Sequence, residues 1–121
     1  MISTKFTVQE HYRKKKHKSH YDFRLVVGRK VYSWALPKER FPKSGERLLA
    51  VWVDDTHDMS YITFSGVLDN GDEVTLLDEG DCKIYTIKKQ RITFELFGDR
   101  FEGMYHLIHT NGDNWIILKG K

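Results

Sequence analysis

Apolar and polar residues alternate along most of this chain with a period of two, the repeat of a β-strand. Phe6 and Val8 share one face of a strand predicted over Lys5 to Glu10. Tyr21, Phe23 and Leu25 form the core-facing set of a second, Tyr21 to Val27. Gly28-Arg29-Lys30 turns the chain into a third, Val31 to Leu36, where Val31, Ser33 and Ala35 alternate with Tyr32, Trp34 and Leu36. A polar loop from Pro37 to Glu46 holds both prolines. Further strands are predicted over Leu48 to Val53, Tyr61 to Leu68, Glu73 to Leu77, Lys83 to Lys88, Ile92 to Phe97, Met104 to His109 and Trp115 to Lys119. Asn70-Gly71 is a hairpin signal, and Gly98-Asp99 and Asn111-Gly112-Asp113 mark turns. No segment carries a long helical period. Many short strands at regular spacing predict an all-β fold, a small closed or nearly closed barrel of mostly antiparallel strands or a sandwich.

Composition narrows the class. The 121 residues fit a single domain, 1–121, large enough for one core. At 40% hydrophobic and 13% aromatic the chain is globular rather than disordered. A single cysteine, Cys82, excludes an internal disulfide and any cysteine-based zinc site. No apolar run is long enough to span a membrane, and the N-terminus lacks a signal-peptide core, so a soluble cytoplasmic protein without membrane partners is expected. Net charge is only +3, but its distribution is uneven. Arg13-Lys14-Lys15-Lys16-His17-Lys18 is the densest basic run and lies just before His20. Lys14, Lys15 and Lys16 read as either a solvated loop or an electrostatic guide for a polyanion.

The chemistry concentrates in His20-Tyr21-Asp22-Phe23-Arg24-Leu25. Alternation places His20, Asp22 and Arg24 on one face and Tyr21, Phe23 and Leu25 on the other. Imidazole plus carboxylate suits a divalent metal, and arginine is the side chain best shaped to grip a phosphate. An ordinary amphipathic strand with a solvated ladder is the alternative. His11 follows the first strand, so His11, His20 and Asp22 can converge as two nitrogens and a carboxylate. That set suits Mn, Fe, Co, Ni or Zn. His17 competes as a ligand from within the lysine run. His57, in Asp54-Asp55-Thr56-His57, is a loop histidine suited to general-acid work or to charge stabilisation on phosphate, with Tyr61 four residues on. His106 and His109 face opposite sides of one strand and read as ordinary, partly buried histidines.

A longer pattern contains these residues. Phe6-Thr7-Val8-Gln9-Glu10-His11 followed by His20-Tyr21-Asp22-Phe23-Arg24-Leu25 resembles the opening of the phosphoesterase domain of bacterial DNA ligase D. Ser33-Trp34-Ala35-Leu36-Pro37-Lys38 resembles that family's S-W-A-V-P-K. Leu49-Ala50-Val51-Trp52-Val53-Asp54-Asp55, then His57 and Tyr61, resembles its L-A-V-x-V-E-D-H-P-x-x-Y. Phe64-Ser65-Gly66-Val67, Phe94 to Gly98 with Glu102 to Leu107, and Trp115 to Lys119 resemble its later motifs in order. The resemblance runs from about Lys5 to Lys119.

It implies a β-barrel that uses manganese, with cobalt or another divalent transition metal as a substitute, to trim 3′ ends of DNA or RNA in non-homologous end joining. Removal of a 3′-terminal ribonucleoside leaves a 3′-phosphate, which is removed in turn. The substrate would be a primer-template, and the partners a separate ligase and polymerase. By this resemblance His11, His20 and Asp22 hold the metal, Arg24 and His57 contact phosphate, and Tyr61 is needed for activity. Arg47 matches a phosphate-side arginine, and Asp54 stands where the family has glutamate.

There are departures. The family sets its two metal histidines closer than the nine residues between His11 and His20, and the extra residues fall in the basic run, an enlarged loop. The Gln-Glu-His context favours His11 over His17. Thr56 is inserted before His57, Asp58 replaces a proline, and Asp69-Asn70-Gly71-Asp72 shortens a glycine-rich segment. A stand-alone version of the domain is expected. The rivals are a non-haem iron oxygenase built on a His-x-Asp…His triad, and a non-catalytic OB-like nucleic-acid-binding barrel.

Overall fold

Antiparallel pairing carries the chain almost from end to end in the computed structural model, which describes residues 1–56 and 59–120. The strands are β1 (Ile2–Arg13), β2 (Lys18–Val27), β3 (Lys30–Leu36), β4 (Arg47–Thr56), β5 (Gly66–Val67), β6 (Glu73–Lys88), β7 (Arg91–Phe97), β8 (Glu102–Asn111) and β9 (Asn114–Lys119). They form one sheet in the order β1-β2-β3-β4-β9-β8-β7-β6-β5. Pairing of β1 with β6 closes eight of them into a barrel, and β5 is a short flap on the start of β6. The barrel expectation therefore holds and the sandwich does not. Among the described residues there is no α-helix, and no helix long and apolar enough to cross a membrane.

Two predicted boundaries are corrected. Glu73 to Leu77 and Lys83 to Lys88 are one strand, β6. The polar Asp78-Glu79-Gly80-Asp81 stretch lies between the two predicted strands, yet it continues the strand. Asp78 accepts backbone N–H bonds from Arg100 at 2.9 Å and Phe101 at 2.8 Å, which anchor the β7–β8 turn. A side chain at Gly80 would meet Phe97 O at 2.8 Å, so the close strand approach needs glycine. The second correction concerns Tyr61 to Leu68. It is a 3₁₀ turn at Tyr61–Thr63 followed by the two-residue β5. A strand would send Tyr61 and Phe64 to opposite faces. The turn brings residues three apart together, and their rings stack 5.7 Å apart.

The barrel interior is filled from the alternate positions expected. Phe6, Val8, Phe23, Leu25, Trp34, Leu36, Phe94, Leu107 and Ile117 are buried. Phe23 sits centrally, stacked on Phe94 and edge-on to Phe41, both 5.3 Å away. Truncating such a ring costs about 3–5 kcal/mol. Burial pushes the Cys82 thiol up to about 12, so it is a small core residue and not a nucleophile.

Asp78→Ala should lower unfolding stability by about 1–2 kcal/mol, because it removes the acceptor of part-buried N–H donors of the 98–101 turn. Urea denaturation measures this, and a midpoint equal to that of wild type would refute the anchoring role.

Candidate metal and phosphate site

The register of β1 on β2 builds the site. Phe6 pairs with Leu25 and Val8 with Phe23, which places those four inside the barrel. The intervening rungs, Thr7–Arg24, Gln9–Asp22 and His11–His20, then project from the outer face. A bulge in the β1–β6 pairing falls between Val8 and Gln9, where β1 passes from its core-packed half to its site-bearing half. The outer face is roofed by the segment from Tyr61 to Asp72, and Ile62 and Val74 are buried beneath it.

His11, His20 and Asp22 converge. One ligand atom from each lies within 4.8 Å of the others. His20 Nε2 is 3.2 Å from Asp22 Oδ1, and His11 Nδ1 is 3.7 Å from Asp22 Oδ2. Each imidazole keeps 20% of its side-chain surface open to solvent, so an ion or a substrate can reach it. His11 Nε2 lies 2.9 Å from Asp72 Oδ2. This hydrogen bond does most to hold the Asp72 carboxyl below its ordinary value, against the opposing effect of desolvation; the Lys14 N–H and Asn70 add to it. An ionised carboxylate only accepts, so His11 Nε2 is the donor to Asp72. The other ring nitrogen, Nδ1, is turned towards the Asp22 carboxylate. A cation shared by His11, His20 and Asp22 satisfies all three, and the donor set fits a divalent transition metal.

Arg24 lies one rung beyond Asp22. Its Nε donates to Gln9 Oε1 at 2.7 Å and its Nη1 to Ser33 Oγ at 2.8 Å. Its Nη2 is 3.8 Å from Asp22 Oδ2, and its guanidinium lies 5.2 Å from the Tyr61 ring centroid. Two of the five guanidinium N–H groups are thus committed to orientation, and Nη2 faces Asp22. Gln9 is fully buried, and its amide donates to Tyr61 O at 2.8 Å and Phe64 O at 3.0 Å. One glutamine therefore fixes both Arg24 and the turn that carries Tyr61. Burial raises the Tyr61 phenol, so it keeps its proton at neutral pH.

The remaining expected residues distribute as follows. His17 lies in the β1–β2 turn with positive φ, 3.3 Å from the Tyr12 hydroxyl, so the ladder brings His11 and not His17 to His20. Lys14, Lys15 and Lys16 form the exposed hairpin tip. The Lys14 backbone N–H donates to Asp72, and its side chain runs past Gly71. Arg47 is exposed at the start of β4 and, among the described residues, is not one of the side chains that contact the triad. Asp54 pairs with Ser33 through the backbone. His57 lies outside the described residues. His106, bonded to Thr93, and His109, bonded to Gly112 O, sit on other strands and take no part.

Gln9, Ser33 and Asp72 are the contributors that sequence reasoning missed. Gln9 and Ser33 had a usable signal, since both are polar residues on strand faces shared with site residues. Asp72 had none, because its pairing with His11 joins residues 61 apart.

A sequence profile of the DNA ligase D 3′-phosphoesterase domain matches residues 9–109. The chain is similar to the multifunctional non-homologous end joining DNA repair protein LigD of Mycobacterium tuberculosis, 34% identical over 124 residues, covering 96% of this chain and 16% of that protein. The corresponding proteins of Pseudomonas aeruginosa and Mycolicibacterium smegmatis are 33% and 31% identical, over 84% and 97% of this chain and 14% and 17% of their own length. The chain thus spans about a sixth of the length of these relatives.

Asp72→Ala should weaken Mn²⁺ binding about 10–100-fold by releasing His11, and Asp72→Asn, which keeps an acceptor, should weaken it less. Calorimetric titration measures this. Equal affinity in wild type and Asp72→Ala would remove Asp72 from the site.

Proposed function

This chain belongs to the DNA ligase D 3′-phosphoesterase domain family, and we propose that it is a metal-dependent phosphoesterase that heals 3′ ends of DNA or RNA for end joining, removing a 3′-terminal ribonucleoside or a 3′-phosphate. The observation that carries this reading is the guanidinium of Arg24, pinned by Gln9 and Ser33 beside the His11/His20/Asp22 set. A metal grip and a phosphate grip on one strand face suit a phosphate ester better than a 2-oxo acid or an unreactive strand.

His11 through Nδ1, His20 through Nε2 and Asp22 would hold the metal, with manganese as the proposed ion. When bound, a divalent ion neutralises non-bridging oxygens and makes hydroxide available near neutral pH. The chain's own residues do the rest. Arg24 presents its uncommitted N–H donors to phosphate oxygens in a fixed orientation, so little reorganisation accompanies charge development. Tyr61 remains a hydroxyl donor beside it. His57, four residues before Tyr61, is proposed from its place in the motif to protonate the leaving oxygen or to stabilise charge on the phosphate. The Lys14–Lys16 tip adds positive field at the approach to His20. The proposed setting is the cytoplasm, with a ligase and a polymerase acting on the same ends.

The test is a 3′-phosphorylated primer-template and a matching primer with one 3′-terminal ribonucleotide, each incubated with a panel of divalent metals. Manganese-dependent loss of the phosphate or ribonucleoside is expected, and inertness of both substrates would overturn the reading. His20→Ala and Asp22→Ala should abolish turnover and metal binding together while the thermal transition persists. Normal activity in either would sink the metal assignment.

Arg24→Lys should lose most activity although charge is conserved, because an ammonium cannot replace a planar fork held at two of its nitrogens. His57→Ala should lower turnover by about 10²–10⁴-fold. On a nitrophenyl phosphate, whose leaving group needs no proton, the His57 defect should shrink if it is the general acid. Full activity in both variants would place the phosphate elsewhere.

A further inference from the structure

Beside the triad, the outer surface opens into a cleft of ≈ 340 Å³ with His20 in its lining. His20 therefore belongs both to the proposed metal site and to this cleft. The remaining lining divides by chemistry. Arg13, Lys16, Lys18 and Ser19 come from the β1–β2 hairpin, and Ala35, Pro37 and Val51 come from β3, the loop after it and β4. Among the described residues no carboxylate lines it. Three cations on one wall repel one another until an anion enters, and an apolar wall opposite them suits a ring. The volume is at the small end of ligand pockets, about 300–1,000 Å³, enough for one nucleoside but not for a duplex. The basic wall is built from the enlarged interval between His11 and His20, so the cleft is a feature of this chain's own hairpin.

We infer that this cleft seats the 3′-terminal nucleotide of the strand being healed, its ring against Ala35, Pro37 and Val51 and its 5′-side phosphate on Arg13, Lys16 and Lys18. The inference rests on the phosphoesterase reading and adds a direction to it. Lys18, His20, Asp22 and Arg24 alternate along one face of β2, about 6.4–6.8 Å per step. The strand then enters over Lys18 and His20 and delivers its 3′-phosphate to Asp22 and Arg24. Of the Lys14–Lys16 tip, only Lys16 reaches the cleft lining.

Two substrates separate the alternatives, a 3′-phosphorylated oligonucleotide and nitrophenyl phosphate, which has no nucleotide. In Lys16→Ala/Lys18→Ala the KM for the oligonucleotide should rise about 10–100-fold, the loss expected for charge-assisted contacts. Its kcat should change little, and the KM for nitrophenyl phosphate, which meets only the field of the two lysines and not the nucleotide contacts, should rise far less than that for the oligonucleotide. Lys88→Ala/Lys89→Ala, which removes the same two charges at the β6–β7 turn, controls for net charge. A binding readout accompanies the kinetics. An oligonucleotide with 2-aminopurine at its 3′-terminal position, titrated in EDTA, should change fluorescence with wild type and not with Lys16→Ala/Lys18→Ala. A Lys16→Ala/Lys18→Ala variant that matches Lys88→Ala/Lys89→Ala, an equal loss on both substrates, or no terminal 2-aminopurine response in wild type would each overturn the inference. Failure of wild type to hydrolyse either substrate would instead overturn the phosphoesterase reading itself.

Discussion

The β1–β2 register is the constraint on which everything else depends. Phe6, Val8, Phe23 and Leu25 are fully buried, and each contributes roughly 1.5–3 kcal/mol by leaving water. A slip of one residue would turn them outward and draw His11, Asp22 and Arg24 into the apolar interior. The core therefore enforces the site. The energy that holds the barrel shut also holds His11 opposite His20 and Gln9 opposite Asp22, without any ligand to organise them.

An outer face that carries a carboxylate, two imidazoles and a guanidinium must still satisfy its polar groups. The roof segment solves this with few atoms. Gln9 spends both amide protons on the carbonyls of Tyr61 and Phe64 and its oxygen on Arg24. Asp72 receives the Lys14 N–H and the His11 proton. Turned towards one another are His11 Nδ1, His20 Nε2 and the Asp22 carboxylate, the set proposed to hold a cation. The pattern is that of a site arranged before its ligand arrives, and preorganised donors cost little at the moment of reaction.

Rigid and adaptable parts are separated. The guanidinium proposed to grip phosphate stands on paired strands and is held from behind by Gln9 and Ser33. The basic residues that would guide and seat a polyanion stand on an exposed hairpin tip, outside the packed core of the barrel.

The amino-acid sequence alone determined the all-β class, the inward set at Tyr21, Phe23 and Leu25, and the shared face of His20, Asp22 and Arg24. Those features rest on a strict period of two, which is local and survives any tertiary arrangement. The ordered motifs from Lys5 to Lys119 likewise pointed to the family before any coordinates. Tertiary structure decided the rest. It joined two predicted strands into β6, where Asp78 accepts from a turn some twenty residues away and Gly80 lets Phe97 O approach closely. It made a 3₁₀ turn of a stretch that reads as a strand, because Gln9 holds the turn's carbonyls. It set His11 opposite His20 by cross-strand pairing, in line with the Gln-Glu-His context, and it placed Asp72 against His11. Each of these outcomes depends on a contact between residues far apart in the chain, and local periodicity carries no record of such contacts.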